Sequence, residues 1–384
     1  MTSRNDVLDS LLRSFLKEGP AGCALSVVRR GETLYEGYFG YADLAEKRPI
    51  EPDTIYRLFS LSKVVTCTAA LLLYEKGLYL MTDPLYEYLP EFRNVLVHRQ
   101  GVDGTLYTSP AVSPIRINDL FTMTSGLTMH GNRNETERQV SKLSLKDIPN
   151  LRTMAKRLAD IPLAFDPGTR WNYGFSHDVL GALIEVLSGK SFGEFLNEEL
   201  FEPLSMRDTF FRIPENKKER MSMLYSRAED NALTPNMDSE IYYEPDWKIE
   251  FGGHGLLSTL HDYGRFTQML SRGGEWNGNR LLGRKTIELM ATNHLNRQPL
   301  GDFEAVGTWS GYGYGLGVRV MIDRAKGGSN STVGEFGWGG AAGTWMAVDP
   351  KEELSIVYMH QLMPSEYDEI RQHKVRAAVY GMIE

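Results

Sequence analysis

The period of the apolar positions changes twice along this chain. Residues 5–17 carry Val7, Leu8, Leu11, Leu12, Phe15 and Leu16 at helical spacing. That predicts an amphipathic helix, closed by Gly19-Pro20. Strand-like runs follow at 23–28 and 33–39, joined across Arg30-Gly31-Glu32, which predicts a β-hairpin. Beyond the loop marked by Pro49, Pro52 and Asp53, an apolar helix begins at Ser60. It runs through Val64, Val65, Ala69, Leu72 and Leu73 to Gly77.

From 85 to 250 the strand signal is weak. Helices are expected from Asn118, over 145–160, from Asp178 to Leu187 and over 191–200. Residues 212–248 are polar and read as a long irregular excursion that covers a site. Strand character returns at 314–322, 344–348 and 354–361, and a last helix is expected over 366–382. Strands at both ends and helices between predict an α+β fold, in which the hairpin and the three C-terminal strands form one antiparallel sheet. The expected domains are a discontinuous sheet domain, 1–84 with 250–384, and a mainly helical domain, 85–249, with the active site between them.

Composition narrows the function classes. The chain has 384 residues, 42% hydrophobic and 24% charged, with a formal net charge of −8. An acidic balance without a dense basic run argues against a nucleic-acid partner. No apolar run approaches the roughly 18 residues of a membrane span. The first residues show no basic stretch followed by an apolar one, so no signal peptide and a cytoplasmic location are expected. Cys23 and Cys67 make no disulfide framework and are expected as buried thiols. The eight histidines show no H-x-x-x-H spacing, so neither a metal nor a cofactor is expected.

Three stretches carry candidate chemistry. Ser60 and Lys63 stand three apart, on one face of a helix with Cβ atoms roughly 5–6 Å apart. A lysine can take the proton from a serine hydroxyl and so activate it as a nucleophile. The plain alternative is an N-cap serine with a solvated lysine, and Ser14-x-x-Lys17 is a chance copy of the motif in the N-terminal helix. Tyr173 follows a Pro-Gly turn on a loop before a helix, where a phenol can shuttle a proton; a packed aromatic is its alternative. The stretch 334–344 is dense in glycine and leads into a strand. Its backbone can approach a ligand closely and donate to an oxyanion, unless it is simply a bulge or a loop.

In this order, Ser60-x-x-Lys63, Tyr173 and Trp338-Gly339-Gly340 resemble the serine β-lactamase and penicillin-binding-protein superfamily. Within it the chain is most similar to the class C β-lactamase-like branch and its family VIII carboxylesterases. Thr124-Ser125-Gly126-Leu127, Asp178-Val179-Leu180-Gly181 and the stretches 253–259 and 312–317 extend the match. The resemblance implies Ser60 as the acylated nucleophile, Lys63 as its activator and Tyr173 as the completing proton carrier. The oxyanion hole would be the backbone N–H groups of Ser60 and Ala341. Two positions depart from the lactamase pattern. Phe175 stands where Tyr-x-Asn has its asparagine, and Trp338 where the third motif has its lysine. Phe175, Trp338, Gly339 and Gly340 are therefore expected to favour a small apolar ester over a carboxylate-bearing lactam. Tyr242, Tyr243, Trp309 and Tyr312 are further candidates for an apolar pocket.

The expected function is a serine carboxylesterase working through a Ser60 acyl-enzyme on a small-molecule ester. The alternatives are a β-lactamase, a D-amino-acid peptidase or an acyltransferase of the same fold, or a penicillin-binding-like module without turnover. The G-x-S-x-G elbow of α/β-hydrolases is absent: Gly174-Phe175-Ser176-His177-Asp178 fails at its last position. Residues 311–317 do not form a dinucleotide fingerprint.

Overall fold

A computed structural model describes residues 4–17, 19–229, 232–238, 243, 247–307, 309–364 and 368–383. At its centre lies an antiparallel sheet of eight strands: β1 (Gly22–Arg29), β2 (Glu32–Asp43), β3 (Arg48–Pro49), β4 (Tyr312–Tyr314), β5 (Arg319–Met321), β6 (Phe336–Gly339), β7 (Trp345–Asp349) and β8 (Leu354–His360). Their spatial order is β4-β5-β6-β7-β8-β1-β2-β3. The two ends of the chain meet at the β1–β8 seam, where Cys23 faces His360 and Arg29 faces Leu354.

Strand β1 is buried on both faces because helices cover both. On one face α1 (Arg4–Leu16) and α5 (Asp368–Tyr380) press Leu8, Leu12, Val375 and Val379 against Leu25, Val27 and Ile356. On the other, α2 (Ser62–Glu75) and α4 (Leu260–Ser271) belong to a larger core that includes Ala24 and Val357. Helix α3 (Ser176–Ser188) packs on α2. Every residue of α2 from Ser62 to Leu73 is buried, so its apolar run is all-round and not one-sided.

The sheet has more strands than the pattern of apolar residues predicts. The run expected as one strand over 314–322 is two, β4 and β5, turned between Gly315 and Val318, where the Gly315 N–H donates to the Val318 carbonyl at 2.7 Å. Gly317 holds a positive φ of 80° in that turn, and no other residue type takes this conformation freely. The glycine-rich stretch is partly a strand, β6, which pairs with β5 and β7. A further hairpin, Leu96–Gln100 with Leu106–Pro110, lies in the middle segment; its outer strand is exposed and carries no clear alternation.

The excursion at 212–248 contains a short helix, Glu215–Arg220, and a small hairpin, Tyr225–Arg227 with Leu233–Pro235. It is pinned beside the strand that enters the Ser60 turn, the Ser222 N–H donating to the Ile55 carbonyl at 2.9 Å. Among the described residues no helix is long and apolar enough to cross a membrane.

Candidate active site

The approach to Ser60 is anchored before the helix begins. Ile55–Arg57 pairs with Leu257–Thr259, and the Leu58 N–H donates to the Leu256 carbonyl at 2.9 Å. A short 3-10 turn, Phe59–Leu61, then leads into α2. Phe59 adopts φ 46°, a left-handed conformation unfavourable for a bulky residue, directly before Ser60. Its ring is held edge-on by Tyr243, centroids 5.8 Å apart. Within α2, the Thr66 hydroxyl donates to the Gly252 carbonyl at 2.6 Å and the Ser62 hydroxyl accepts from the Leu256 N–H at 3.2 Å. These bonds stitch the helix to the segment 252–256.

Two groups converge on the Ser60 Oγ. The Lys63 ammonium nitrogen lies 3.2 Å away and the Tyr173 hydroxyl 2.6 Å away. Lys63 is buried at 4% exposure; its Nζ also donates to the Gly253 carbonyl at 2.5 Å and sits 4.5 Å from the centre of the Tyr173 ring. The decoy Ser14 has no such company: its hydroxyl donates to the Leu11 carbonyl of its own helix.

Tyr173 is brought in by its loop. Arg170 pairs with Asp302, the Trp171 N–H donates to Asp302 at 3.1 Å, and the Asn172 N–H to the Met123 carbonyl at 3.0 Å. Behind Tyr173 stands an aromatic wall. Trp338 stacks on its ring at 5.9 Å, and Trp309 and Tyr314 pack on Trp338 at 5.4 and 5.3 Å. Ser125, in the Thr-Ser-Gly stretch, shares a hydroxyl–hydroxyl bond of 2.8 Å with Ser176 at the start of α3.

The end of β6 abuts the Ser60 approach. A Cβ on Gly340 would stand 2.3 Å from the Leu58 carbonyl oxygen and 2.2 Å from the Thr344 hydroxyl, so only glycine permits this contact. Thr344 closes it by donating to the Leu58 carbonyl at 3.0 Å. The loop at Ala341 is therefore carried to the neighbourhood of Ser60. Ala341 is exposed there, and Ser60 is half-buried. Backbone N–H groups brought together in this way can stabilise an oxyanion.

Behind Lys63 lie His177 and Asp178 of α3. Burial, with the Lys63 charge, pushes His177 down to about 3; its Nε2 lies 3.1 Å from the Phe121 carbonyl. Burial pushes Asp178 up to about 6, and Lys63 and backbone N–H groups oppose that rise. Among the described residues no group of three or more His, Cys, Asp or Glu side chains could hold a metal.

A family model described as beta-lactamase matches residues 8–380. The chain belongs to the β-lactamase family. An uncharacterized protein of Mycobacterium tuberculosis is 31% identical over 349 residues, covering 90% of this chain and 86% of the relative. Esterase EstB of Burkholderia gladioli is 28% identical over 376 residues, covering 92% of this chain and 89% of EstB. The solved structure of EstCE1, titled a hydrolase with promiscuous acyltransferase activity, superposes with a TM-score of 0.84 at 23% identity, covering 98% of both chains. That superposition shows the shared α+β fold. Membership in this family makes the protein an enzyme of the hydrolase or acyltransferase kind.

Within this β-lactamase-family site, Ser60, Lys63 and Tyr173 stand together. Phe175 and Trp338 are both buried, at 5% exposure each. Phe175 meets His130 edge-on at 5.4 Å, and Trp338 backs Tyr173. Gly339 and Gly340 are partly exposed at the end of β6. Of the aromatic candidates, Trp309 joins the wall and Tyr243 packs on Phe59. Tyr242 lies outside the described residues. Tyr312 points away, with the Arg319 guanidinium 4.5 Å over its ring, while Tyr314, two residues on, packs on Trp338. Gly253 and Asp178 were visible in the sequence only as parts of the family match, with no role. The signal that could have found them is a carboxylate five residues past Tyr173, in the first turn of the next helix, together with the Gly252-Gly253 pair.

Proposed function

We propose that the protein hydrolyses small carboxylic esters through an acyl-enzyme on Ser60. The observation that carries this reading is the convergence of the Tyr173 hydroxyl and the Lys63 Nζ on one serine oxygen, at 2.6 and 3.2 Å. In the proposed sequence, the Lys63–Tyr173 pair takes the Ser60 proton as the Oγ attacks the ester carbonyl. The tetrahedral oxyanion accepts from the backbone N–H groups of Ser60 and Ala341, a contribution on the order of 3 kcal/mol per donor. The C–O bond to the alcohol breaks, and the same pair returns the proton to the leaving oxygen. Water then attacks the acyl carbon as the pair takes its proton; the bond from that carbon to the Ser60 Oγ breaks, and the pair returns the proton to the Oγ, which releases the acid. Buried Phe175 and Trp338 leave the site without the amide and ammonium groups that would hold a lactam's side chain and carboxylate, which favours an apolar ester. The likeness to esterase EstB supports the same choice.

A second reading shares every step but the last: an alcohol replaces water and the acyl group is transferred. The structural neighbour titled as a hydrolase with promiscuous acyltransferase activity supports it. A fluorophosphonate probe with intact-mass and peptide analysis tests the nucleophile; one adduct, on Ser60, is expected, and labelling elsewhere would overturn it. Turnover of p-nitrophenyl butyrate against a chromogenic cephalosporin tests the substrate class. Faster turnover of the cephalosporin would overturn the ester reading. Running the ester assay with added short alcohols and quantifying new ester separates hydrolysis from transfer.

A further inference from the structure

The Gly253 residue is engaged on both sides by charged groups. Its carbonyl accepts from the Lys63 Nζ at 2.5 Å, and its N–H donates to the Asp178 Oδ1 at 3.0 Å. A Cβ at 253 would stand 2.7 Å from the Asp178 Oδ2 and 3.3 Å from the Lys63 Nζ. A side chain at 253 would thus crowd both the carboxylate and the ammonium, and glycine lets the two charged groups share this peptide. Asp178 is 2% exposed and lies in the first turn of α3, where the helix dipole favours a carboxylate. The other groups around Lys63 are Ser60 on the 3-10 turn before its helix, Cys67 on that helix, Tyr173 on the loop before α3, His177 on α3 and His254 beside Gly253. Among them Asp178 is the carboxylate. Its charge is opposed by that of Lys63, and nothing in the proposed acyl-transfer steps uses it directly.

We infer that Asp178 is a positioning residue for Lys63: through the Gly253 peptide it holds the lysine against Ser60, and its charge governs how readily Lys63 gives up its proton. This rests on the reading of Lys63 as part of the proton-accepting pair. The two effects have separate signatures. Loss of the anchor lowers the rate at every pH. Loss of the negative charge removes an interaction that favours a positive charge beside Ser60, so the acid limb of the rate profile moves down. An opposite charge at this range shifts such a limb by one pH unit or more.

The test is the pH dependence of fluorophosphonate labelling at Ser60, and of kcat/KM for p-nitrophenyl butyrate, in the full chain and in Asp178→Asn. Asp178→Ser is a second neutral variant, and circular dichroism checks that each is folded. The expected result is labelling at least tenfold slower at pH 8, with the acid limb one unit or more lower than in the unaltered protein. A limb that stays in place in a folded neutral variant overturns the inference, and so does failure of both variants to fold, since Asp178 would then be a structural anchor. An unaltered protein that is not labelled at Ser60 overturns the proposed function itself, which distinguishes the two failures.

Discussion

The indole of Trp338 lies stacked on the phenol of Tyr173, ring centroids 5.9 Å apart and planes within 19°. The Lys63 ammonium also lies over the phenol ring, 4.5 Å from its centre. Tyr173 is therefore held by contacts to a flat apolar wall and to a cation, with its hydroxyl 2.6 Å from the Ser60 Oγ. Cation–π and stacking contacts of this kind contribute about 1 kcal/mol each, enough to select one rotamer.

Truncating Trp338 removes the wall. Trp338→Ala is expected to lower kcat for p-nitrophenyl butyrate by tenfold or more, and to lower stability by about 3–5 kcal/mol as a large buried side chain is lost. Trp338→Phe keeps a flat ring and is expected to restore most of the activity. Thermal melts and steady-state kinetics on both variants check this; equal activity in the alanine and phenylalanine variants would refute the role of the wall.

The hydroxyl of Tyr173 can be tested apart from its ring. Tyr173→Phe keeps the stack on Trp338 and removes only the group 2.6 Å from the Ser60 Oγ. Loss of one proton carrier predicts a fall of about 10²–10⁴ in kcat with little change in melting temperature. An unchanged kcat would show that Lys63 suffices alone.

Gly340 is expected to be intolerant for a reason of space. Gly340→Ala would drive a methyl into the Leu58 carbonyl, and backbone must move to admit it. The loop carrying Ala341 would shift from Ser60, so kcat is expected to fall at least tenfold. Gly301, in the helix Arg297–Glu304, has open space around its Cβ direction. Gly301→Ala is expected to keep activity and to raise stability by roughly 0.5–1 kcal/mol, measured by urea unfolding.

His177 predicts an acid-sensitive fold. Burial lowers its folded-state pKa to about 3, below the ordinary value near 6.5, so the folded state disfavours the charged ring. A group depressed in this way contributes stability that is full above the unfolded value and is lost as pH falls from about 6.5 towards 3. Asp178, raised to about 6, acts in the opposite sense: its contribution is full below about 4 and is lost as pH rises through 6. The His177 shift is the larger, so urea midpoints are expected to fall between pH 6.5 and 4. His177→Gln is expected to flatten that slope. A midpoint that rises through this range would contradict the assignment.

Local rules made much of this protein legible. A spacing of three on a helix is enough to put Ser60 and Lys63 on one face, because helical geometry is set by the backbone of a few neighbouring residues. The same rule could not separate them from Ser14 and Lys17. Short, mostly apolar runs bounded by turns marked the first strand of the N-terminal hairpin and the last two strands, which are buried almost throughout. Order along the chain and family resemblance then singled out Tyr173 and Trp338.

What sequence could not decide is which residues from distant segments share a face. Tyr312 and Tyr314 are equivalent by composition and period, yet one lies under Arg319 and the other on Trp338. Short strands broken by glycine, such as β4 to β6, have too few residues to show a period, and only their ladder partners define them. Asp178 and Gly253, 75 residues apart, have meaning only where α3 packs on α2 and the 252–256 segment closes over both. The sequence by itself determined the α+β plan and the serine–lysine pair, because both rest on periodicity and on local spacing. Only the tertiary structure decided how Tyr173, Trp338, Gly253 and Asp178 surround that pair, because those contacts depend on sheet register and helix packing across the whole chain.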